Sequence, residues 1–146
     1  MKIDNDIYWS ILHAFPHVPP EAGGILGSRN GIVCAFEYDA GLPQFAEAIY
    51  IPDVKRLNRV ISDWANSGIS FCGLAHSHPP MQKTHSANDV SYINSIMKAV
   101  PVSMDNLYFP LVIPNEELIS YVARRGETGI RILDDEIKIC YRKERL

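Results

Sequence analysis

Residues 69–89 of the chain read ISFCGLAHSHPPMQKTHSAND, and this stretch predicts a strand, a loop and a helix in succession. Residues 69–75 are largely apolar and lead directly into a histidine, which is typical of a buried strand. The prolines at positions 79 and 80 end that strand, because proline has no N–H to donate to a sheet. Ser86 is a favoured helix cap. The apolar residues that follow it recur at the three- and four-residue steps of an amphipathic helix, at Val90, Ile93, Met97 and Val100.

The strongest turn signal in the chain lies upstream of this stretch, at Asn30-Gly31. Asn-Gly is the dipeptide that two-residue hairpin loops favour, and here it separates two short apolar runs at 24–27 and 32–36. The sequence therefore predicts a β-hairpin. A further strand is predicted over residues 45–51.

Two more helices are predicted before residue 69. One covers residues 4–15, with apolar residues on one face and Asp4 or Asn5 as its cap. The other covers residues 53–66 and ends at Gly68, a residue type common just after helices.

The rest of the chain predicts short strands, over residues 107–113, 118–123, 130–133 and 137–141. The expected fold is thus α/β, with about three helices around a single mixed, largely antiparallel sheet. At 146 residues, the chain has the length of one ordinary domain, so residues 1–146 are expected to form a single domain.

Composition excludes several classes of protein. Hydrophobic residues make up 47% and charged residues 21%, as in ordinary globular proteins. A net charge of -3 gives no basic footprint for nucleic acid. No apolar run is long enough to cross a bilayer, and the N-terminus is too polar for a signal peptide. Three scattered cysteines fit a reducing compartment, so the expected location is the cytoplasm.

The chemistry is concentrated in His76, His78 and Asp89. Imidazoles two residues apart on a strand share one face, about 6.5–7 Å apart along the backbone, a gap that two Zn–N bonds can close. Asp89, in the first turn of the helix that Ser86 begins, can supply a third ligand. Two histidines and one carboxylate leave the fourth position of a tetrahedral zinc site to water, which is the pattern of catalytic zinc. His85, a loop residue, is predicted to be solvated rather than bound.

A second interpretation of the same residues needs no metal. Ser86-x-x-Asp89 is also a capping box, in which the two side chains satisfy the first N–H groups of a helix. The two interpretations are compatible, because a cap that fixes the start of the helix also fixes Asp89. In a chain of this composition, the spacing of the two histidines, Ser86 and Asp89 would arise by chance on the order of one time in a thousand.

These residues resemble the signature of the JAMM/MPN metalloproteases. That signature consists of a Glu, then His-Ser/Thr-His-Pro, then Ser-x-x-Asp, which corresponds here to His76-Ser77-His78-Pro79 and Ser86 to Asp89. The segment 21–27, EAGGILG, is similar to the family's Glu-x-x-Gly-x-Leu-x-Gly. The order of elements agrees up to about residue 113, and beyond that point the likeness rests on the general strand pattern. The resemblance implies the family's cytidine-deaminase-like architecture.

The resemblance also implies roles for individual residues. His76, His78 and Asp89 would bind one Zn²⁺ per chain. Glu21 would accept a proton from the attacking water and pass it to the leaving amine. Ser86 would hydrogen-bond the carbonyl oxygen as it becomes an oxyanion.

Members of this family usually cut the peptide or isopeptide bond after the C-terminal glycine of ubiquitin or a ubiquitin-like protein. The short chain looks like the stand-alone prokaryotic members, so the expected partner is a ubiquitin-like or sulfur-carrier protein ending in Gly-Gly, with no nucleic acid and no membrane. The alternative is a catalytically silent MPN-type binding scaffold in a protein complex, although such scaffolds typically lack a motif residue. A zinc nucleobase deaminase is excluded, because the chain has neither His-x-Glu nor Pro-Cys-x-x-Cys.

Overall fold

The computed structural model describes residues 1–17, 21–43 and 50–141. The three helices in this part of the chain are α1 (Asn5–Ala14), α2 (Val54–Asn66) and α3 (Ala87–Ala99). The strands there are β1 (Lys2–Asp4), β2 (Gly23–Arg29), β3 (Ile32–Asp39), β4 (Ser70–Ser77), β5 (Asn106–Tyr108), β6 (Leu111–Ile113), β7 (Glu117–Ile119), β8 (Tyr121–Gly126), β9 (Gly129–Asp134) and β10 (Lys138–Cys140). The α/β class and the three helices agree with the sequence prediction.

Local turn and cap chemistry sets several of these bounds. Asn30 and Gly31 both have positive φ, at 53° and 76°, and join β2 to β3 as the predicted hairpin. The carboxylate of Asp53 accepts the N–H of Arg56 and caps α2. Gly68 follows that helix at φ 75°, which a side chain would strain.

The sheet is mixed throughout, which corrects the expectation of a largely antiparallel sheet. Its main path runs β10-β1-β3-β2-β4-β5-β8-β9, with β6 pairing with β4 and β7 with β6. Of the nine strand pairings between described residues, five are antiparallel and four are parallel. The parallel pairings beside β4 arise because α3 lies in the connection that follows it, and a crossover returns the chain in the same direction.

Two predicted strands are each divided in the structure. The strand expected over 107–113 is interrupted at Phe109 and Pro110, because a proline cannot donate to the ladder. Its halves, β5 and β6, both lie against β4, at Gly73 and at His76 and Ser77. The strand expected over 118–123 likewise divides into β7, which pairs with β6, and β8, which pairs with β5.

Two further differences from the prediction concern individual strands. The short strand β1 was not expected, and it pairs in parallel with both β3 and β10. The strand expected over 45–51 falls mostly on residues 44–49, which lie outside the described residues. Tyr50 and Ile51, at its end, belong to no strand.

The helices cover both faces of the sheet. Neighbouring strand residues point to opposite sides: Leu26 and Ala75 pack with the apolar face of α1, whereas Ile25 and Leu74 pack with α2 and α3. Among the described residues, no helix is long and apolar enough to cross a membrane. The end of β4, an interior strand, is joined to the start of α3 by the loop of residues 78–86.

Candidate metal centre

Two strands, β2 and β6, fix the end of β4, where the motif histidines lie. His76 is the register partner of Gly23 in β2 and of Leu111 in β6. The N–H of His78 donates to Val112 O at 2.9 Å, so the backbone stays anchored one residue past the end of the strand. Both histidines are buried, with 8% and 4% of their surfaces exposed. Their backbone is therefore held from both sides before any ligand is considered.

The capping box that starts α3 brings Asp89 to these histidines. The N–H of Asp89 donates to Ser86 Oγ at 3.1 Å, and the N–H of Ser86 donates to Asp89 Oδ2 at 2.8 Å. Asp89 Oδ1 lies 3.2 Å from His76 Nε2, and Asp89 Oδ2 lies 3.0 Å from His78 Nε2. The two Nε2 atoms are 2.9 Å apart. The structure thus brings together the three ligands predicted from the sequence.

The spacing of these atoms suits a small cation. Ligands bound to zinc at about 2.0–2.1 Å in a tetrahedron lie about 3.3 Å from each other, and the three observed separations are 2.9, 3.0 and 3.2 Å. His78 Nδ1 lies 3.0 Å from Gln82 O. A carbonyl can only accept, so Nδ1 carries the proton and Nε2 presents its lone pair to the cluster. This orientation is typical of metal-binding histidines.

His85 joins the cluster, which corrects the prediction that it is solvated. Its side chain is only 4% exposed, and Nδ1 lies 3.9 Å from Asp89 Oδ2. His76, His85 and Asp89 together offer ligand atoms that all lie within 4.8 Å of one another. The spacing of His85 and Asp89, four residues apart across a helix start, was the available sequence signal. It was missed because residues before a cap are usually exposed.

Burial and the neighbouring groups of the cluster shift the pKa values of Asp89, His76 and His78. Burial alone would raise the pKa of Asp89, but the imidazoles of His76 and His78 hold it far below its usual range. Burial lowers the pKa of His76. Burial acts in the same direction on His78, but its hydrogen bonds to Asp89 and to Gln82 O raise its pKa overall. Asp89 is therefore ionised at neutral pH.

Glu21 lines an open cavity that His76 and Asp89 also line, and this cavity has a volume of about 330 Å³. The cavity is lined by Glu21, Tyr50, Ile51, Pro52, Leu74, His76, Asn88, Asp89, Tyr92, Ile93 and Phe109. The pKa of Glu21 is raised, first by burial and also by the charge of Asp89, although His78 opposes this. A carboxyl group with a raised pKa is a better proton acceptor than an ordinary one.

Ser77 holds the backbone beside Glu21 in place. Its hydroxyl accepts the N–H of Ala22 at 3.0 Å and donates to Ala22 O at 3.3 Å. The N–H of Ser77 also donates to Ala22 O, at 2.8 Å. The residue between the two motif histidines therefore fixes the segment that carries the predicted base.

Ser86 lies at the N-cap of α3 and is exposed. Because its Oγ accepts the N–H of Asp89, its own hydroxyl proton is left to donate. The structure thus assigns Ser86 a capping role, and its part in stabilising an oxyanion stays a prediction.

One wall of the cavity is tied to a network around Asp39. Tyr50 OH donates to Asp39 Oδ2 at 2.8 Å, and burial raises the pKa of Tyr50, so it stays a phenol. Burial alone would raise the pKa of Asp39 as well. The N–H of Asp53 and the side chains of Tyr50 and Arg56 all donate to its carboxylate, and their hydrogen bonds lower the pKa overall. This network was not predicted from the sequence, and it holds Tyr50, one of the residues that line the cavity, in place.

Solved structures share this fold. A protein from Desulfitobacterium hafniense, determined in solution, is similar with a TM-score of 0.63 at 20% identity, over 98% of this chain and 94% of that chain. A solution structure of a protein from Salinibacter ruber gives a TM-score of 0.55 at 17% identity, over 96% and 92%. No family model and no curated protein matches the chain. At these identities the likeness shows the fold alone, so function must follow from the side chains of the site.

Proposed function

We propose that this chain is a zinc-dependent hydrolase of the JAMM/MPN type, in which His76, His78 and Asp89 hold the metal and Glu21 is the general base. The observation that carries the proposal is the convergence of ligand atoms from His76, His78 and Asp89, 2.9 to 3.2 Å apart. The half-buried carboxyl group of Glu21 lines the same cavity as His76 and Asp89. A capping box alone would need Ser86 and Asp89, but it gives no reason for two imidazoles to meet at that carboxylate.

The residues fit Zn²⁺ by their chemistry as well as by their spacing. Imidazole nitrogen and carboxylate oxygen are both ordinary zinc ligands. Asp89 is ionised, and the outward nitrogen of His78 is occupied by Gln82 O, so the inward nitrogen is available as a lone pair. Three protein ligands leave one position for a reactant, which separates a catalytic site from a structural one.

The side chains can divide the work of hydrolysis among them. A bound Zn²⁺ would polarise the scissile carbonyl and lower the pKa of water toward ~7. Glu21 accepts the proton of the attacking water and returns it to the leaving amine. The hydroxyl of Ser86 donates to the carbonyl oxygen as negative charge develops there. Ser77 keeps Glu21 at its place through Ala22.

The proposed substrate is a ubiquitin-like or sulfur-carrier protein with a C-terminal Gly-Gly, cut after the last glycine. This part rests on the resemblance to the family. The lining of the cavity supports it, because it includes the bulky side chains of Tyr50 and Tyr92, and glycine is the residue that such side chains obstruct least.

One experiment tests the whole proposal. The purified chain is analysed for zinc and is offered ubiquitin-like fusions ending in Gly-Gly or in Ala-Ala, together with unrelated peptides. We expect one zinc per chain and cleavage of the Gly-Gly fusions only. Equal rates on all substrates would refute the substrate class, and zinc without any cleavage would favour the binding scaffold. A chain that binds no zinc would refute the enzyme.

A further inference from the structure

We propose that His85 is a fourth protein ligand of the metal that His76, His78 and Asp89 hold. The inference rests on the proposed metal site and adds to it a residue outside the motif. Its basis is the position of one atom, Nδ1 of His85, which is buried and has no hydrogen-bond partner among the described residues.

The proton of His85 is fixed by its other nitrogen. Nε2 lies 3.0 Å from Phe109 O, and since a carbonyl can only accept, Nε2 must carry the proton of the neutral ring. Nδ1 is then an acceptor with a free lone pair. The same arrangement, with the two nitrogens exchanged, is found at His78, where Nδ1 meets Gln82 O. Both rings therefore present a lone pair to the cluster and a proton to a backbone carbonyl.

The surroundings of His85 hold the ring in this orientation. Its ring packs edge-on against Tyr121, with centroids 4.8 Å apart. The hydroxyl of Tyr121 donates to Lys83 O at 2.7 Å and so ties down the loop before His85. The ring of His76 lies on another side, at a centroid distance of 5.5 Å. A solvated loop histidine would need none of these contacts.

The distance from Nδ1 to the carboxylate points to a metal rather than to a hydrogen bond. Nδ1 lies 3.9 Å from Asp89 Oδ2, beyond hydrogen-bond range and longer by about 0.6 Å than the separation of about 3.3 Å expected of two ligands on one zinc ion. A shift of about that size toward Asp89 would bring the two atoms to the separation of zinc ligands. If His85 adds to the three motif ligands, a tetrahedral site would be full at rest, and a reacting water would bind only if His85 left or the coordination number rose above four.

The test compares two variants, each of which places a polar atom at the position of only one of the two ring nitrogens. In His85→Gln the amide nitrogen can still donate to Phe109 O, but nothing replaces Nδ1. In His85→Asn the amide oxygen takes the place of Nδ1. Zinc affinity is measured by competition with a chelator, and the Co²⁺-loaded forms are compared by visible absorption. His13→Ala, which removes an exposed histidine on α1, is the control.

We expect His85→Gln to bind zinc at least about tenfold more weakly than the parent chain, because even the loss of an outer partner of a ligand costs that much. His85→Asn should retain more affinity, and the Co²⁺ spectrum should change in His85→Gln. X-ray absorption of the zinc-loaded parent chain should count three imidazoles, a measurement that does not depend on any variant folding.

A count of two imidazoles by X-ray absorption would overturn the role of His85. Unchanged zinc affinity together with an unchanged Co²⁺ spectrum in His85→Gln would overturn it as well. Either result would leave the proposed hydrolase standing. A parent chain that binds no zinc would overturn both.

Discussion

The hydroxyl of Ser77 couples the motif strand to the segment that carries the proposed base, and replacing it with Ala tests that coupling. Ser77 and Ala22 are 5% and 3% exposed. Ser77→Ala removes the acceptor of the Ala22 N–H, while Ala22 O keeps its bond from the backbone N–H of Ser77. One buried donor is therefore left unpaired.

The expected loss of stability follows from the single unpaired donor, the N–H of Ala22. A buried donor without a partner costs about 1–3 kcal/mol. At about 2–4 °C for each kcal/mol, the melting temperature of a chain of this length should fall by roughly 2–12 °C. Urea unfolding followed by circular dichroism measures the change in the free energy of unfolding, and a thermal scan measures the change in melting temperature. Turnover should fall as well, because Glu21 is no longer held in position, whereas the zinc content should not change.

Ser70→Ala is the matched control, since it makes the same substitution at the exposed start of the same strand. Equal unfolding midpoints for the two variants would refute the coupling argument. Loss of zinc in Ser77→Ala would show that the hydroxyl supports the ligands rather than the base.

Three further predictions concern stability. A Cβ at Gly73 would lie 2.1 Å from the backbone oxygen of Tyr108, so Gly73→Ala should lower the free energy of unfolding by about 1–3 kcal/mol, and an unchanged midpoint in urea would contradict this close approach. Met97 is fully buried, so Met97→Ala should lower the free energy of unfolding by about 2–5 kcal/mol in the same urea assay. An unchanged unfolding midpoint would mean that α3 is not packed as described. The pKa of Asp39 is lowered, so its stabilisation is present above its unfolded value of about 3.9 and is lost as pH falls through the lowered value. The difference in stability between the parent and Asp39→Asn should therefore shrink as the pH falls below about 4, and a constant difference would argue against the network.

Features that depend on neighbouring residues could be predicted from the sequence. Asn30-Gly31 requires a turn with positive φ, and the structure has both residues in that conformation. Asp53 and Ser86 cap the helices that were expected to begin there. The separation of His76 and His78 along a strand likewise fixes which face they share.

Features that depend on pairing between residues far apart in the sequence could not be predicted. Nothing near Lys2 indicates that β1 will lie in parallel between β3 and β10. The division of the strand expected over 107–113 had a local sign in Pro110, but its halves are placed by β4, far away in the sequence. His85 illustrates the same limit at the site. Its burial depends on Phe109 and Tyr121, which reach it only in the folded chain.

The most direct test of the proposed function measures zinc content and hydrolysis side by side in the parent chain, in Glu21→Gln and in Glu127→Gln, whose exposed carboxyl lies at the turn between β8 and β9. An amide cannot accept the proton of water, so Glu21→Gln should keep one zinc per chain and lose at least about 100-fold in the rate of cleavage of a Gly-Gly fusion. Glu127→Gln should match the parent in both measurements. Cleavage by Glu21→Gln at the parent rate, or loss of its zinc, would contradict the assignment of metal to His76, His78 and Asp89 and of proton transfer to Glu21.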